Sequence, residues 1–246
     1  MQKTICEVFY PETAVGGFTS VDGTIQFFTR INALLQPDMT ILDFGAGRAS
    51  FVEEDPVEYR RNLRIFRGRV KQVIGVDIAE AVLANPVIDK AYVVHPGDRL
   101  PLEDRSVDMI ISDHTFEHFE KPAQPIGELE RVLKPGGWLC ARTPNRWGYS
   151  SIGASIIPNR FHELVLSRLQ PDRKAIDIFP TFFRLNTRQD FARYFDKTRW
   201  ELWAYTWNPE PAYFGSSKIG WWLAKTMFRF LPSALGTTWL VFARKK

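Results

Sequence analysis

The chain has 246 residues, 45% hydrophobic, 24% charged and 14% aromatic, which supplies one sizeable core and excludes a disordered or collagen-like chain. With 32 basic and 28 acidic residues the net charge is only +4, so no nucleic-acid partner is expected. Cys6 and Cys140 stand far apart with no Cys-x-x-Cys pair, and no basic-then-apolar leader precedes Glu7, which excludes a disulfide framework and a cysteine zinc site and reads as cytoplasmic.

From residue 40 onward, short apolar runs alternate with helical stretches. Strands are predicted at 40–44, 72–77, 91–95, 107–112 and 137–143, each bounded by Gly, Pro, Asp or Asn. Between the last two, Ile126, Leu129 and Leu133 fall on one face of a helix over 122–133, which Lys134-Pro135-Gly136-Gly137 stops. After Pro144 the alternation lapses into an irregular stretch, 145–185, containing Pro158, Pro171 and Pro180. Asn186 or Thr187 then caps a helix through Phe195, with Asp190 near its start, and two last strands follow at 200–207 and 238–244. The predicted fold class is α/β: one Rossmann-like, doubly wound domain over 1–246, with a seven-stranded, mostly parallel sheet and helices on both faces. No run reaches the ~18 apolar residues of a membrane span. The segment 211–235, however, mixes Trp221-Trp222 with Lys218, Lys225 and Arg229, which suits a helix packed over the sheet or one in peripheral contact with a membrane at its inner face.

The first strand runs into Gly45-Ala46-Gly47-Arg48-Ala49-Ser50, small residues that let a ligand approach the backbone closely. A dinucleotide fingerprint would place a third glycine at Ser50 and an acid ~20 residues further on. Asp77, the next acid at a strand end, lies beyond that spacing, and Asp43 would repel a pyrophosphate while favouring an ammonium or sulfonium ligand. Asp77 can accept from both hydroxyls of a ribose, and Asp98, after a third strand, from an exocyclic amine. Three acids thus meet at the carboxyl ends of neighbouring strands, beside the switch point where open α/β sheets bind ligands. Taken singly, each acid reads equally well as a helix cap or turn residue.

The motifs 41–47 (Ile-Leu-Asp-Phe-Gly-Ala-Gly), Gly75-Val76-Asp77, 97–102 (Gly-Asp-Arg-Leu-Pro-Leu), Ser106-Val107-Asp108, Phe116-Glu117-His118 and 131–137 (Arg-Val-Leu-Lys-Pro-Gly-Gly) come in the order typical of class I S-adenosylmethionine-dependent methyltransferases. Over residues 38–145 the chain most resembles the type 11 group. The resemblance implies S-adenosyl-L-methionine as cofactor, with Asp43, Gly45 and Gly47 at its methionine end, Asp77 at the ribose and Asp98 at the adenine; Ala46, Ile78 and Asp113 are further expected cofactor-binding residues. Two departures stand out: Ala49 replaces a glycine of many members, implying a modest change in loop shape, and the interval 51–71 is unusually long and charged. Its charge run reads as a solvated helix face.

Methyl transfer from a sulfonium is an in-line displacement, so the protein mainly aligns donor and acceptor and removes a proton where the acceptor is a hydroxyl. His114 and His118, leaving the fourth strand where the acceptor lies in the family, have the intrinsic pKa for that task. The same segment, His114-x-x-Glu117-His118, also matches the inverted zinc-hydrolase pattern, in which the glycine loop and acid series would have no role. No metal is assigned. The expected function is methylation, at oxygen, of a small or lipid-like acceptor, with 8–35 and 145–185 as its lid; His162, Arg160, Tyr149 and Arg184 are further acceptor-side residues. A non-catalytic cofactor-binding or membrane-associated module is the alternative.

Overall fold

In the computed structural model, residues 3–149, 151–152, 179–211, 214–215 and 217–246 are described. In chain order the elements are α1 (Ile5–Phe9), α2 (Gly23–Leu34), β1 (Thr40–Phe44), α3 (Phe51–Glu54), α4 (Glu58–Arg64), β2 (Gln72–Asp77), β3 (Lys90–Val93), β4 (Val107–Asp113), α5 (Ala123–Val132), β5 (Leu133–Pro144), α6 (Arg188–Tyr194), β6 (Trp200–Trp207), α7 (Lys218–Phe230) and β7 (Thr238–Lys245), with short 3-10 turns between some of them. The sheet order is β3-β2-β1-β4-β5-β7-β6. β1 to β5 are parallel, whereas β7 runs antiparallel to both β5 and β6.

Alternation along the strands supplies two cores. Leu42, Ile110, Leu139, Val241 and Trp239 face α5 and α6, where Ile126, Leu129, Val132, Phe191 and Phe195 are buried. Ile41, Met109, Ile111, Cys140, Leu240 and Phe242 face α2 through Phe27, Phe28 and Ile31. Full burial of such a side chain contributes about 1.5–3 kcal/mol, so each helix is held chiefly by its apolar face. α2, expected within the lid segment 8–35, is therefore a core layer: Phe27 and Ile31 are completely buried. Of the other lid segment, 145–185, residues 150 and 153–178 lie outside the described residues, and with them Arg160 and His162.

The helix end near residue 133 falls where the glycine-rich stop places it, but the strand begins at once. Leu133 pairs with Val107 and Trp138 with Met109, so Lys134-Pro135-Gly136-Gly137 loops out of β5 opposite Asp108. Gly136, at φ +79°, makes that excursion without a Cβ penalty. The helix before β6 starts as expected: Thr187 caps it, and its capping box closes on Asp190.

Candidate active site

β1 lies between β2 and β4, and the chain reverses its direction of travel across the sheet at this point, so the carboxyl ends of these strands open a crevice. The loop after β1 forms its floor. Gly45 has φ +82°, and a Cβ there would come within 2.1 Å of Thr115 Oγ1, so neither the conformation nor the space admits a side chain. Gly47 has φ +52° and nothing within 4 Å of the position of a Cβ, so its outer side is open. The amides of Gly45 and Ala46 both donate to Val76 O, at 2.8 and 3.1 Å. Asn85 Nδ2 donates to the carbonyls of Ala46 and Gly47, at 3.2 and 3.0 Å. Asn85 is buried and holds the loop from beneath. Sequence reasoning missed it; its one local signal is its place before Pro86.

Asp77 ends β2 with Oδ2 accepting from the Gly47 amide and Oδ1 from the Ala79 amide, both at 2.9 Å. Each oxygen keeps a second lone pair for a ligand. Ile78 beside it is 45% exposed, an apolar surface at the rim. Asp98 stands further out, on the exposed loop after β3, where Oδ2 accepts from the His95 amide at 3.3 Å and Gln124 pins the loop through Gly97 O at 2.6 Å.

Asp43 and Asp113 end the neighbouring strands β1 and β4, with opposite electrostatics. Burial pushes the Asp43 carboxyl up to about 7; repulsion from Asp113 adds to this, Arg64 opposes it, and Asp77 adds a little more. No hydrogen bond to the Asp43 side chain is found among the described residues. Asp113 is likewise half-buried, but Arg142 on β5 grips it with a fork, Nε to Oδ1 and Nη2 to Oδ2, both at 2.7 Å. Burial alone would lift this carboxyl; Arg142, His114 and Arg64 reverse the effect and hold it well below the usual carboxylate range. Arg142 Nη1 also donates to Thr24 Oγ1 at 3.0 Å, tying the start of α2 to the site.

The expected solvated face in the charged interval 51–71 is not what forms around Arg60 and Arg64. Arg60 clasps Asp55 with two bonds of 2.6 Å and reaches Asp22, the N-cap of α2, with a third of 2.6 Å. Arg64 turns inward: its guanidinium lies 3.8 Å from the centre of the Phe51 ring and 3.9 Å from Asp113 Oδ2. An amphipathic helix that packs one side on the protein draws its last cation under itself, and the acids of the crevice hold it there. Ala49, expected to alter the loop modestly, sits at φ +54°, the left-handed conformation that a glycine adopts freely.

His114 follows Asp113 at φ +57°, its imidazole half exposed and Nδ1 3.4 Å from Glu117 Oε1. Glu117 is buried; Thr143 Oγ1 donates to its Oε2 at 2.9 Å, and Asn186 Nδ2 donates to Thr143 Oγ1 at 2.7 Å. Burial would raise the Glu117 carboxyl, but His114 outweighs it, with smaller help from His118, and the pKa is lowered. His118 Nδ1 lies 2.7 Å from Pro180 O; a carbonyl only accepts, so Nδ1 carries the proton and Nε2 stays available. Only Phe116–His118 is helical, as a 3-10 turn, and the left-handed backbone at His114 takes the two histidines off the single α-helical face a zinc hydrolase pattern requires. Of the other acceptor-side residues, Tyr149 stacks on Phe214, while Arg184 Nη1 donates to Glu120 O at 2.9 Å.

The strand order, with β7 antiparallel between β5 and β6, and a glycine loop set among acids at the ends of β1, β2 and β4 define a Rossmann-like class I methyltransferase fold. Residues 42–141 match the family model described as a methyltransferase domain. A probable S-adenosylmethionine-dependent methyltransferase of Mycolicibacterium smegmatis is 37% identical over 99 residues, 37% of this chain and 37% of its own. A malonyl-[acyl-carrier protein] O-methyltransferase of Methylococcus capsulatus is 34% identical over 119 residues, 46% of this chain and 40% of its own. The crystal structure of a SAM-dependent methyltransferase from Thermotoga maritima shares the fold, with a TM-score of 0.54 at 16% identity, over 98% of this chain and 99% of that one. The chain spans about two fifths of the length of the curated relatives it matches. Residues 42–141 thus carry a methyltransferase domain of the class I S-adenosylmethionine-dependent kind.

Proposed function

We propose that the protein methylates an oxygen of a small or lipid-like acceptor, using S-adenosyl-L-methionine. The observation that carries this reading is Asp43: a carboxylate desolvated to a pKa of about 7, beside a glycine loop with an open side, is stabilised by a ligand bearing positive charge. When bound, the cofactor supplies an activated methyl group on a good leaving group. Asp43, Gly45, Ala46 and Gly47 receive its cationic end. Asp77 accepts from the ribose hydroxyls through the lone pairs its backbone bonds leave free, with Ile78 against the adjoining face, and Asp98 accepts from the adenine amine. Asp113 acts through Arg142, fixing the end of β5 and the start of α2 around the crevice.

On the acceptor side, His114 takes the hydroxyl proton as the new oxygen–carbon bond forms. Glu117, ionised and fixed by Thr143, faces Nδ1 of His114 and stabilises the imidazolium that results. His118, with Nε2 available, is a second proton acceptor on the same rim. Methylation at oxygen is the activity named for the Methylococcus relative, and it is the case in which a base contributes most. The segment 211–235 brings peripheral contact with a membrane at its inner face.

Calorimetric titration of wild type and Asp77→Ala with S-adenosylmethionine and with NAD tests the reading. Binding of S-adenosylmethionine alone, weakened at least tenfold (about 1.4 kcal/mol) in the variant, is expected. A folded protein that binds NAD, or neither ligand, overturns it. A screen of hydroxyl acceptors for cofactor turnover, lost in His114→Ala, then separates the enzyme from a non-catalytic cofactor-binding module.

A further inference from the structure

The two long faces of α7 are both apolar, and only one is covered. Trp221 and Ala224 are buried, 5% and 2% exposed, on the side turned to the protein. Ile219, Trp222, Leu223, Met227 and Phe230 are 73%, 59%, 54%, 38% and 77% exposed, and at 3.6 residues per turn they cluster opposite the buried pair. Lys218, Lys225 and Arg229, spaced i, i+7 and i+11, line one flank between the two faces, and α7 contains no Asp or Glu.

The helix cannot roll to hide its outer face. Trp221 Nε1 donates to Gly215 O at 2.9 Å, and its ring packs on Phe9 and Tyr10 at centroid distances of 5.8 and 6.3 Å. Lys225 Nζ donates to Phe9 O at 2.5 Å and lies 4.3 Å from the centre of the Tyr10 ring. No helix among the described residues is long and apolar enough to cross a membrane; α7, with 13 residues, is about 20 Å long.

We propose that α7 lies flat in the surface of an anionic lipid bilayer, with Ile219, Trp222, Leu223, Met227 and Phe230 at the acyl boundary and the basic flank at the headgroups. Charge selects this occupant over a second copy of the chain. In a two-fold pairing of α7 with itself, the basic rows would meet with no acid on the helix to neutralise them, whereas anionic headgroups are their complement. The surface also sits at the acceptor end of the sheet. Asn145, just beyond β5, donates through Nδ2 to Ala234 O and Gly236 O at 2.9 and 2.7 Å, and so ties the strand end to the turn after α7. Trp147, 53% exposed, follows two residues on. Resting on the proposed function for this last step alone, the arrangement presents the crevice to an acceptor carried in the membrane.

Co-sedimentation of the full chain with phosphatidylcholine vesicles, with and without phosphatidylglycerol, tests the assignment at low salt. Binding that requires phosphatidylglycerol, falls as salt screens it, and weakens at least tenfold in Ile219→Glu/Phe230→Glu is expected. A separate Lys218→Glu/Arg229→Glu variant should also lose binding. Because all four side chains lie outside the crevice, S-adenosylmethionine affinity should be unchanged in both variants, which separates this result from the fate of the cofactor and methyl-transfer reading. Failure of wild type to sediment with phosphatidylglycerol vesicles overturns the proposal. So does a dimer in sedimentation velocity that Ile219→Glu/Phe230→Glu dissociates.

Discussion

Two aspartates on neighbouring strands, Asp43 on β1 and Asp113 on β4, share residue type and partial burial yet carry protons differently. Asp113 meets a guanidinium fork 2.7 Å away and stays ionised far into the acid range. Asp43 meets repulsion from Asp113 and only a distant Arg64, and holds its proton up to about 7. A half-buried acid thus becomes structural or receptive according to whether the fold supplies its counter-charge. β5 places Arg142 opposite Asp113 in register, and no strand places a cation opposite Asp43.

Removing the counter-charge is the strongest way to break the contrast. Arg142→Ala leaves the half-buried Asp113 beside Asp43 with only the more distant Arg64 as counter-charge and should cost about 2–4 kcal/mol in urea unfolding, below the ~3–5 kcal/mol of a fully buried broken pair. Asp113→Asn in the same background should recover part of that loss; if it recovers none, the fork does not explain why Asp113 is ionised. The next test runs the other way. Asp43 keeps a proton in the folded protein that the unfolded chain releases near the ordinary carboxylate value, so its contribution to stability declines as pH rises from about 4 to about 7. Asp43→Asn should therefore raise the Tm of the ligand-free protein most at pH 8, less at pH 5 and hardly at all at pH 4, while weakening S-adenosylmethionine at least tenfold. In the wild type, affinity for that cation should fall as pH drops through about 7. Asp113 has the opposite sign, with stability lost only below the ordinary carboxylate range.

The same contrast marks what can be read from sequence. β1, β2, β6 and β7 are legible because their apolar residues form short runs between turn formers, and Asp43, Asp77 and Asp113 are legible because each ends such a run. The start of β5 was not, since Lys134-Pro135-Gly136-Gly137 carries every sign of a break and the strand simply bulges past it. α2 read as lid because the sequence does not say which side of a sheet a helix will cover. The partner of Asp113 was findable: Arg142 interrupts Leu139-Cys140-Ala141, and a lone cation in a buried strand calls for an acid. Arg64 and Asn85 were not, because their roles arise only when α4 and the turn after β2 fold against the glycine loop.

The mildest test concerns Ala49, where the loop leaves the β1 end of the crevice. At φ +54° an alanine carries roughly 1–2 kcal/mol of left-handed strain, which Ala49→Gly removes. Against this stand the extra freedom of glycine in the unfolded chain, about 0.5–1 kcal/mol, and the loss of a buried methyl, about 0.8 kcal/mol. The terms nearly cancel, so Ala49→Gly should shift unfolding by no more than about 0.5 kcal/mol and leave S-adenosylmethionine affinity within a factor of two. The nearby Gly45→Ala should behave differently, because its Cβ would strike Thr115 Oγ1 and the loop could keep neither its shape nor its ligand. A large loss from Ala49→Gly would mean that the buried methyl, rather than the glycines, sets the loop, and the β1 end of the crevice would then be as rigidly packed as the Asp113 end.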